Sequence, residues 1–102
     1  MFNAQEVHKA YERISPYIRK TPLEESFYLG SEERRYFFKL ESFQRVKSFK
    51  IRGALNKMLT LTEEEIRRGI ATISSGNHGS SVSYASSLLG IKNAKVIVPQ
   101  TT

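Results

Sequence analysis

Apolar residues recur at three- and four-residue steps near the start of the chain, at Val7, Ala10, Tyr11, Ile14 and Ile18. That spacing predicts a helix with one apolar face. Asn3 stands where an N-cap belongs, with Glu6 three residues on in capping-box register. Pro16 should end or kink this helix, because its ring nitrogen has no proton for the preceding turn. The residue before Pro22 is pushed out of the helical region, so Thr21-Pro22-Leu23 reads as an extended connector. Two short strands are expected next, near Ser26 to Leu29 and Arg35 to Glu41, with the turn-forming Gly30-Ser31-Glu32-Glu33 between them.

The helical period returns at Ile51, Ala54, Leu55, Met58 and Leu59, with Ser48 as the expected cap. Thr62 and Glu65 form a second capping box, ahead of a short helix that Gly69 should stop. The remainder reads as one unit: a strand from Ile70 to Ser74, a helix from about Asn77 to Leu89 closed by Gly90, and a strand from Ala94 to Val98. Such a crossover implies parallel strands in a mainly buried sheet, and an α/β fold. The loop from Ser74 to Gly79 then falls at the carboxyl end of a strand, where open α/β sheets place ligands.

Composition narrows the possibilities. At 102 residues, 39% hydrophobic and 25% charged, the chain has the make-up of an ordinary globular protein with room for one modest core. No apolar run approaches the roughly 18 residues that cross a bilayer, and the polar N-terminus lacks a secretory apolar stretch. No membrane partner is expected, and a cytoplasmic location is the default. The absence of cysteine excludes disulfides and thiolate metal sites; with two distant histidines and no ligand spacing among the acids, no metal is expected. The net charge of +6, with Arg45, Lys47, Lys50, Arg52 and Lys57 near Phe43 and Phe49, invites a nucleic-acid reading. The other basic residues are scattered among ten acids and no recognised module accompanies them, so no nucleic acid is expected. A site for small anions explains the local excess as well.

Two segments carry candidate chemistry. A lysine amine must be neutral to act as a nucleophile or a base, yet a free lysine has a pKa of about 10.4. At Lys50 the start of a helix and the neighbouring Lys47 and Arg52 both disfavour the charged form. At Ser74 to Gly79, backbone N–H groups of a helix start lack internal partners and point toward any anion placed there, and Ser75, Asn77 and His78 add side-chain donors. An exposed helix lysine and a plain capping loop account for the same residues by pattern alone. His78 reads equally as a hydrogen-bonded structural residue, Phe49 as core filler, Gly53 as an aid to close helix packing, and Arg52 as half of a structural ion pair.

The segment Gln44-Arg45-Val46-Lys47-Ser48-Phe49-Lys50-Ile51-Arg52-Gly53-Ala54 resembles the lysine segment of pyridoxal-phosphate enzymes that act at the β-carbon of hydroxy amino acids. Ser74-Ser75-Gly76-Asn77-His78-Gly79 is similar to their substrate-carboxylate loop. Lys20-Thr21-Pro22-Leu23, Lys39-Leu40-Glu41 and Leu88-Leu89-Gly90-Ile91 sit where threonine dehydratases and serine racemases carry similar segments. The chain is therefore identified as resembling the N-terminal portion of the threonine dehydratase/serine racemase group of fold-type II pyridoxal-phosphate enzymes, with an incomplete tryptophan-synthase-β-like architecture. The resemblance implies pyridoxal 5'-phosphate as cofactor and Lys50 as its covalent anchor and a catalytic base. It implies Phe49 and Asn77 as further cofactor contacts, and Ser75, Gly76, Asn77 and His78 as the site of the substrate carboxylate. Ser75 is also catalytic by this resemblance, as the acid/base on the face opposite the lysine in serine racemases.

By the same resemblance, residues 1–45 form an N-terminal segment of helix and short strands belonging to the larger domain, and residues 46–102 the lysine helix and the start of the smaller α/β domain. The implied reaction takes L-threonine to 2-oxobutanoate and ammonia, with L-serine as the next substrate. A serine racemase, a threonine-synthase-like enzyme, and a non-catalytic fragment or pseudoenzyme are the alternatives. No two of the six glycines are adjacent, so the family's glycine-rich phosphate loop is not visible. Alone, the chain is expected to bind cofactor weakly, to turn over little, and to associate with itself or with a missing C-terminal portion through an exposed apolar patch. One departure stands out: Lys47 occupies a position where the family usually has glycine, which would serve a tight backbone turn or close approach to the cofactor.

Overall fold

The computed structural model describes residues 2–100. The Asn3 side chain accepts the Glu6 amide proton at 3.0 Å and starts helix α1, Ala4–Ile14. The chain then tightens into a 3-10 turn at Ser15–Tyr17 that contains Pro16, so the helix ends where the proline requires. Only the C-terminal end of the apolar stripe is used. Ile14 is buried and Ile18 packs beside it, whereas Val7 and Tyr11 stay exposed.

Strand β1, Leu23–Glu25, pairs antiparallel with β2, Phe37–Lys39. The second lies inside the expected strand; the first precedes the expected Ser26 to Leu29, which is not a strand. The Ser26 hydroxyl explains the difference, because it accepts the N–H groups of Tyr28 at 3.2 Å and Leu29 at 2.9 Å and bends the chain off the ladder. The Ser31 amide donates to the Arg34 carbonyl at 2.8 Å, which puts the turn where its composition predicted.

After a second 3-10 turn at Glu41–Phe43, helix α2 spans Lys50–Leu59. Phe49 rather than Ser48 occupies its N-cap position and no side chain caps it; the Ser48 hydroxyl accepts only the Lys50 amide, at a long 3.4 Å. Helix α3, Glu63–Arg68, opens on the expected Thr62/Glu65 capping box with both bonds formed. Strand β3, Ile70–Ile73, helix α4, Asn77–Leu88, and strand β4, Ala94–Ile97, complete the unit, with Ile70 opposite Ala94 and Ile73 opposite Ile97 in a parallel pair. Gly69 and Gly90 follow their helices with φ of 105° and 71°.

The core is a junction of three helices. Ile51, Ala54, Leu55 and Met58 of α2 meet Ile14 of α1 and Val82 and Ala85 of α4. Helix α4 turns Gly79, Ser81, Ala85 and Ser86 inward, and side chains this small let α2 approach closely. Leu55 is wholly buried, and such burial contributes about 1.5–3 kcal/mol. The sheet differs from expectation: residues of β3 and β4 alternate between half-buried and exposed, with Ile73 75% and Ile97 53% exposed as neighbours on the open face. Helix α4 packs on the other face, and a sheet covered on one side buries alternate residues only. Among the described residues no helix is long and apolar enough to cross a membrane.

Lys47 is the one non-glycine among the described residues in the left-handed region, with φ of 67°. The glycine that the resemblance would put at this position would adopt the turn freely. A left-handed conformation costs an L-residue about 1 kcal/mol or somewhat more. Lys47→Gly should raise stability by about 0.5–1 kcal/mol, the gain being trimmed by glycine's freedom in the unfolded chain. Urea unfolding should show a higher midpoint at unchanged slope; a lower midpoint would mean the lysine side chain contributes more than its backbone conformation costs.

Candidate active site

Lys50 is the first residue of α2, so its side chain leaves the helix at the open end rather than from the packed face. It is exposed, and its Nζ lies over the Phe49 ring at 5.6 Å from the centroid. Phe49 is 61% exposed, which removes core filling as its role. Together with Arg52, Gly53, Ala54 and His78 these two residues line a hollow of about 310 Å³. Gly53 does not serve close helix packing as expected: a Cβ there would meet nothing within 4 Å. It forms part of the floor beside Lys50 instead.

His78 reaches this hollow from the start of α4, because α2 and α4 pack along their lengths. It also borders a larger cleft of about 410 Å³ that includes Lys57, Met58, Arg68 and Thr72. Ser75 and Gly76 open onto a different hollow, of about 310 Å³, with Ser80, Ser83, Val96 and Val98. Asn77 is exposed at the first position of α4, between Gly76 and His78 in the chain. The fold thus brings Lys50, Phe49 and His78 into one space and sets Ser75 and Gly76 at the next.

Ser74 has a part that sequence reasoning missed. Its hydroxyl accepts the N–H groups of Gly76 at 3.2 Å and Gly79 at 3.0 Å, so the start of α4 is not wholly open to an outside anion. Among the described residues the N–H groups of Asn77 and His78 find no acceptor. A serine two residues ahead of a glycine, at the end of a strand, was the available signal. Gly79 is buried, and a Cβ would stand 3.0 Å from Val96 Cγ1 and 3.1 Å from the Ser74 carbonyl oxygen; glycine lets the loop and β4 close on the helix.

Charge around Lys50 is uneven. Arg45, Lys47 and Lys50 form no ion pair among the described residues, and no acid lines the Lys50 hollow. Arg52 is the exception: its guanidinium forks onto Glu41, from Nε at 2.7 Å and NH2 at 2.9 Å, the structural ion pair expected of it. Hydrogen bonds from Arg52 above all, with Thr21 and Gln44 adding to them, hold the Glu41 carboxyl at about 2 against the opposing effect of burial. Gln44, nearly fully buried, also bonds the Arg19 amide and carbonyl, both at 3.0 Å.

The chain belongs to the pyridoxal-phosphate dependent enzyme family, whose sequence profile it matches over residues 14–102. It is 46% identical over 93 residues to the β-hydroxyaspartate dehydratase of Paracoccus denitrificans, a match covering 90% of this chain and 29% of that protein. It is 42% identical over 98 residues to the catabolic L-threonine dehydratase of Staphylococcus aureus, covering 94% and 28%. The solved serine racemase of Dictyostelium discoideum superposes with a TM-score of 0.85 at 39% identity, covering 96% of this chain and 32% of that one. The chain therefore spans about 30% of the length of these relatives and has the α/β fold of fold-type II enzymes of the threonine dehydratase/serine racemase group. Its family's cofactor is pyridoxal phosphate.

Two outcomes follow from this geometry. Because the Glu41 carboxyl is depressed from 4.5 to about 2, its stabilising contribution is complete above the ordinary carboxylate range and is lost as pH falls toward 2. Acid titration followed by circular dichroism should cost the wild type about 1–2 kcal/mol across that window, after allowance for solvent screening; Glu41→Gln should be less stable at pH 7 and flatter below pH 5. Gly53→Ala should stabilise α2 by about 0.5–1 kcal/mol, since nothing opposes the methyl group, yet reduce occupancy of the hollow by pyridoxal phosphate. Thermal melting and cofactor absorbance separate the two effects.

Proposed function

We propose that this chain carries the lysine side of the active site of a pyridoxal-phosphate-dependent hydroxy-amino-acid dehydratase, acting on L-threonine to give 2-oxobutanoate and ammonia. The observation that carries the reading is the shared hollow of Lys50, Phe49 and His78 in a chain of this family. The donors fit the cofactor: an exposed amine, an open aromatic face, free amides at a helix start and no acid in the lining suit a planar anionic aldehyde. Lys50 would hold it covalently through Nζ, with Phe49 beside the ring and Asn77 on its phenolic oxygen. When bound, pyridoxal phosphate supplies an electron sink that makes the substrate α-proton acidic.

The chain's own groups divide the remaining work. Lys50 Nζ takes the α-proton. The amides of Asn77 and His78, with the Ser75 hydroxyl and Gly76, hold the substrate carboxylate and fix which α-substituent faces the lysine. Dehydration expels the β-hydroxyl with one proton as water, and a water then hydrolyses the released enamine to the 2-oxo acid and ammonia; a racemase would instead return a proton from Ser75 on the opposite face. L-serine fits the same description with one methyl fewer. 3-Hydroxyaspartate is a second reading, supported by the 46% identity to a β-hydroxyaspartate dehydratase and by the unpaired, exposed Arg45 and Lys47 close to Lys50 in the chain, which suit a second carboxylate.

The test is to add pyridoxal phosphate to the purified chain, reduce with borohydride and locate the adduct by peptide mass spectrometry. The adduct should concentrate on Lys50 and vanish, without moving elsewhere, in Lys50→Ala. Labelling scattered over many lysines would end this reading. A competing amino acid added before reduction should protect Lys50, and the order of protection by L-threonine, L-serine and 3-hydroxyaspartate ranks the substrates.

A further inference from the structure

Glu41 accepts more side-chain hydrogen bonds than its place on a connector requires. Oε1 takes a proton from the Thr21 hydroxyl and one from Arg52 NH2; Oε2 takes one from Arg52 Nε at 2.7 Å and one from Gln44 Nε2 at 3.3 Å. Thr21 and Gln44 are 5% and 1% exposed, and the Lys39 ammonium secures the Thr21 carbonyl at 2.7 Å. The carboxylate is thereby held by two buried donors, Thr21 and Gln44, in addition to Arg52.

Arg52 lies two residues beyond Lys50 in the first turn of α2, a turn with no side-chain N-cap. Its backbone N–H donates to the Phe49 carbonyl at 3.0 Å, so the fork, the turn and Phe49 are linked within four residues. Side chains two positions apart on a helix leave it roughly 200° apart, and clamping one sets the direction of the other. A part-buried ion pair adds little net stability compared with apolar packing, whereas a bidentate fork fixes a plane and an orientation.

We infer that Glu41 is a positioning residue for Lys50: acting through Arg52, it fixes the rotation of the first turn of α2 and thereby aims the Lys50 amine into its hollow. The inference rests on the reading of Lys50 as cofactor anchor, and it is tested in a way that separates the two.

Amide hydrogen exchange by mass spectrometry on the 102-residue chain, wild type against Glu41→Gln, reads the turn without cofactor. Exchange in residues 49–53 should rise about tenfold while residues 55–59 of the same helix stay protected. In parallel, the ratio of borohydride-trapped pyridoxal phosphate on Lys50 to that on Lys57, an exposed lysine on the same helix, should fall by about fivefold or more. Arg52→Lys keeps the charge and loses the fork, and should reproduce both changes in a milder background. Unchanged exchange at 49–53, a uniform rise across all helices with a lower melting temperature, or wild-type behaviour of Arg52→Lys would each overturn the inference. A wild-type chain with no preference for Lys50 would end the anchor reading instead, while the exchange comparison still decides whether Glu41 orders the turn.

Discussion

The helical core and the candidate site of this chain hang on the burial of one face of α2. Ile51, Ala54, Leu55 and Met58 are held between α1 and α4, and that contact is most of the apolar core. A helix fixed along one face has its remaining surface fixed as well, so Gly53 and Lys50 are presented to the same hollow. The contact with α4 also carries the start of that helix, and His78 with it, to the edge of the lysine hollow. A hydrophobic interface therefore sets the geometry of a polar site whose members come from segments more than 20 residues apart.

The helices were legible because their period and caps are local. Asn3, Thr62, Gly69 and Gly90 act where the sequence puts them, and the β3-α4-β4 unit follows from its order of apolar runs. The first strand was misplaced because Phe27-Tyr28-Leu29 has strand composition, while the Ser26 hydroxyl competes for the amides a ladder would need. The one-faced sheet was not legible either, since an apolar run such as Ile70 to Ile73 suits burial on both faces and only the placement of α4 shows that one is open. Lys50 and the Ser74–Gly79 loop were singled out by motif as candidates. Their separation into neighbouring hollows was not, because it depends on how α4 sits on α2 and β4. The ion pair of Arg52 was expected, but Glu41, 11 residues earlier and across two turns, could be matched to it only in three dimensions.

The stretch from Gln44 to Arg52 shows how a constraint on backbone outlasts the residue type best suited to it. Gln44 is fixed by Arg19 and Glu41, and Arg52 is fixed by Glu41 as well, so both ends of the stretch answer to one carboxylate. Between them the chain must leave a 3-10 turn and enter α2, and the Lys47 amide closes back on the Gln44 carbonyl at 2.9 Å. That reversal places position 47 in the left-handed region whatever side chain stands there. Glycine would meet the demand without strain. Lysine meets it at the cost of a small strain and adds a cation three residues from Lys50, exposed and unpaired like Arg45. Since the fold holds the turn from both ends, position 47 can exchange conformational ease for charge, and the exposed cation it gains raises the positive potential beside Lys50.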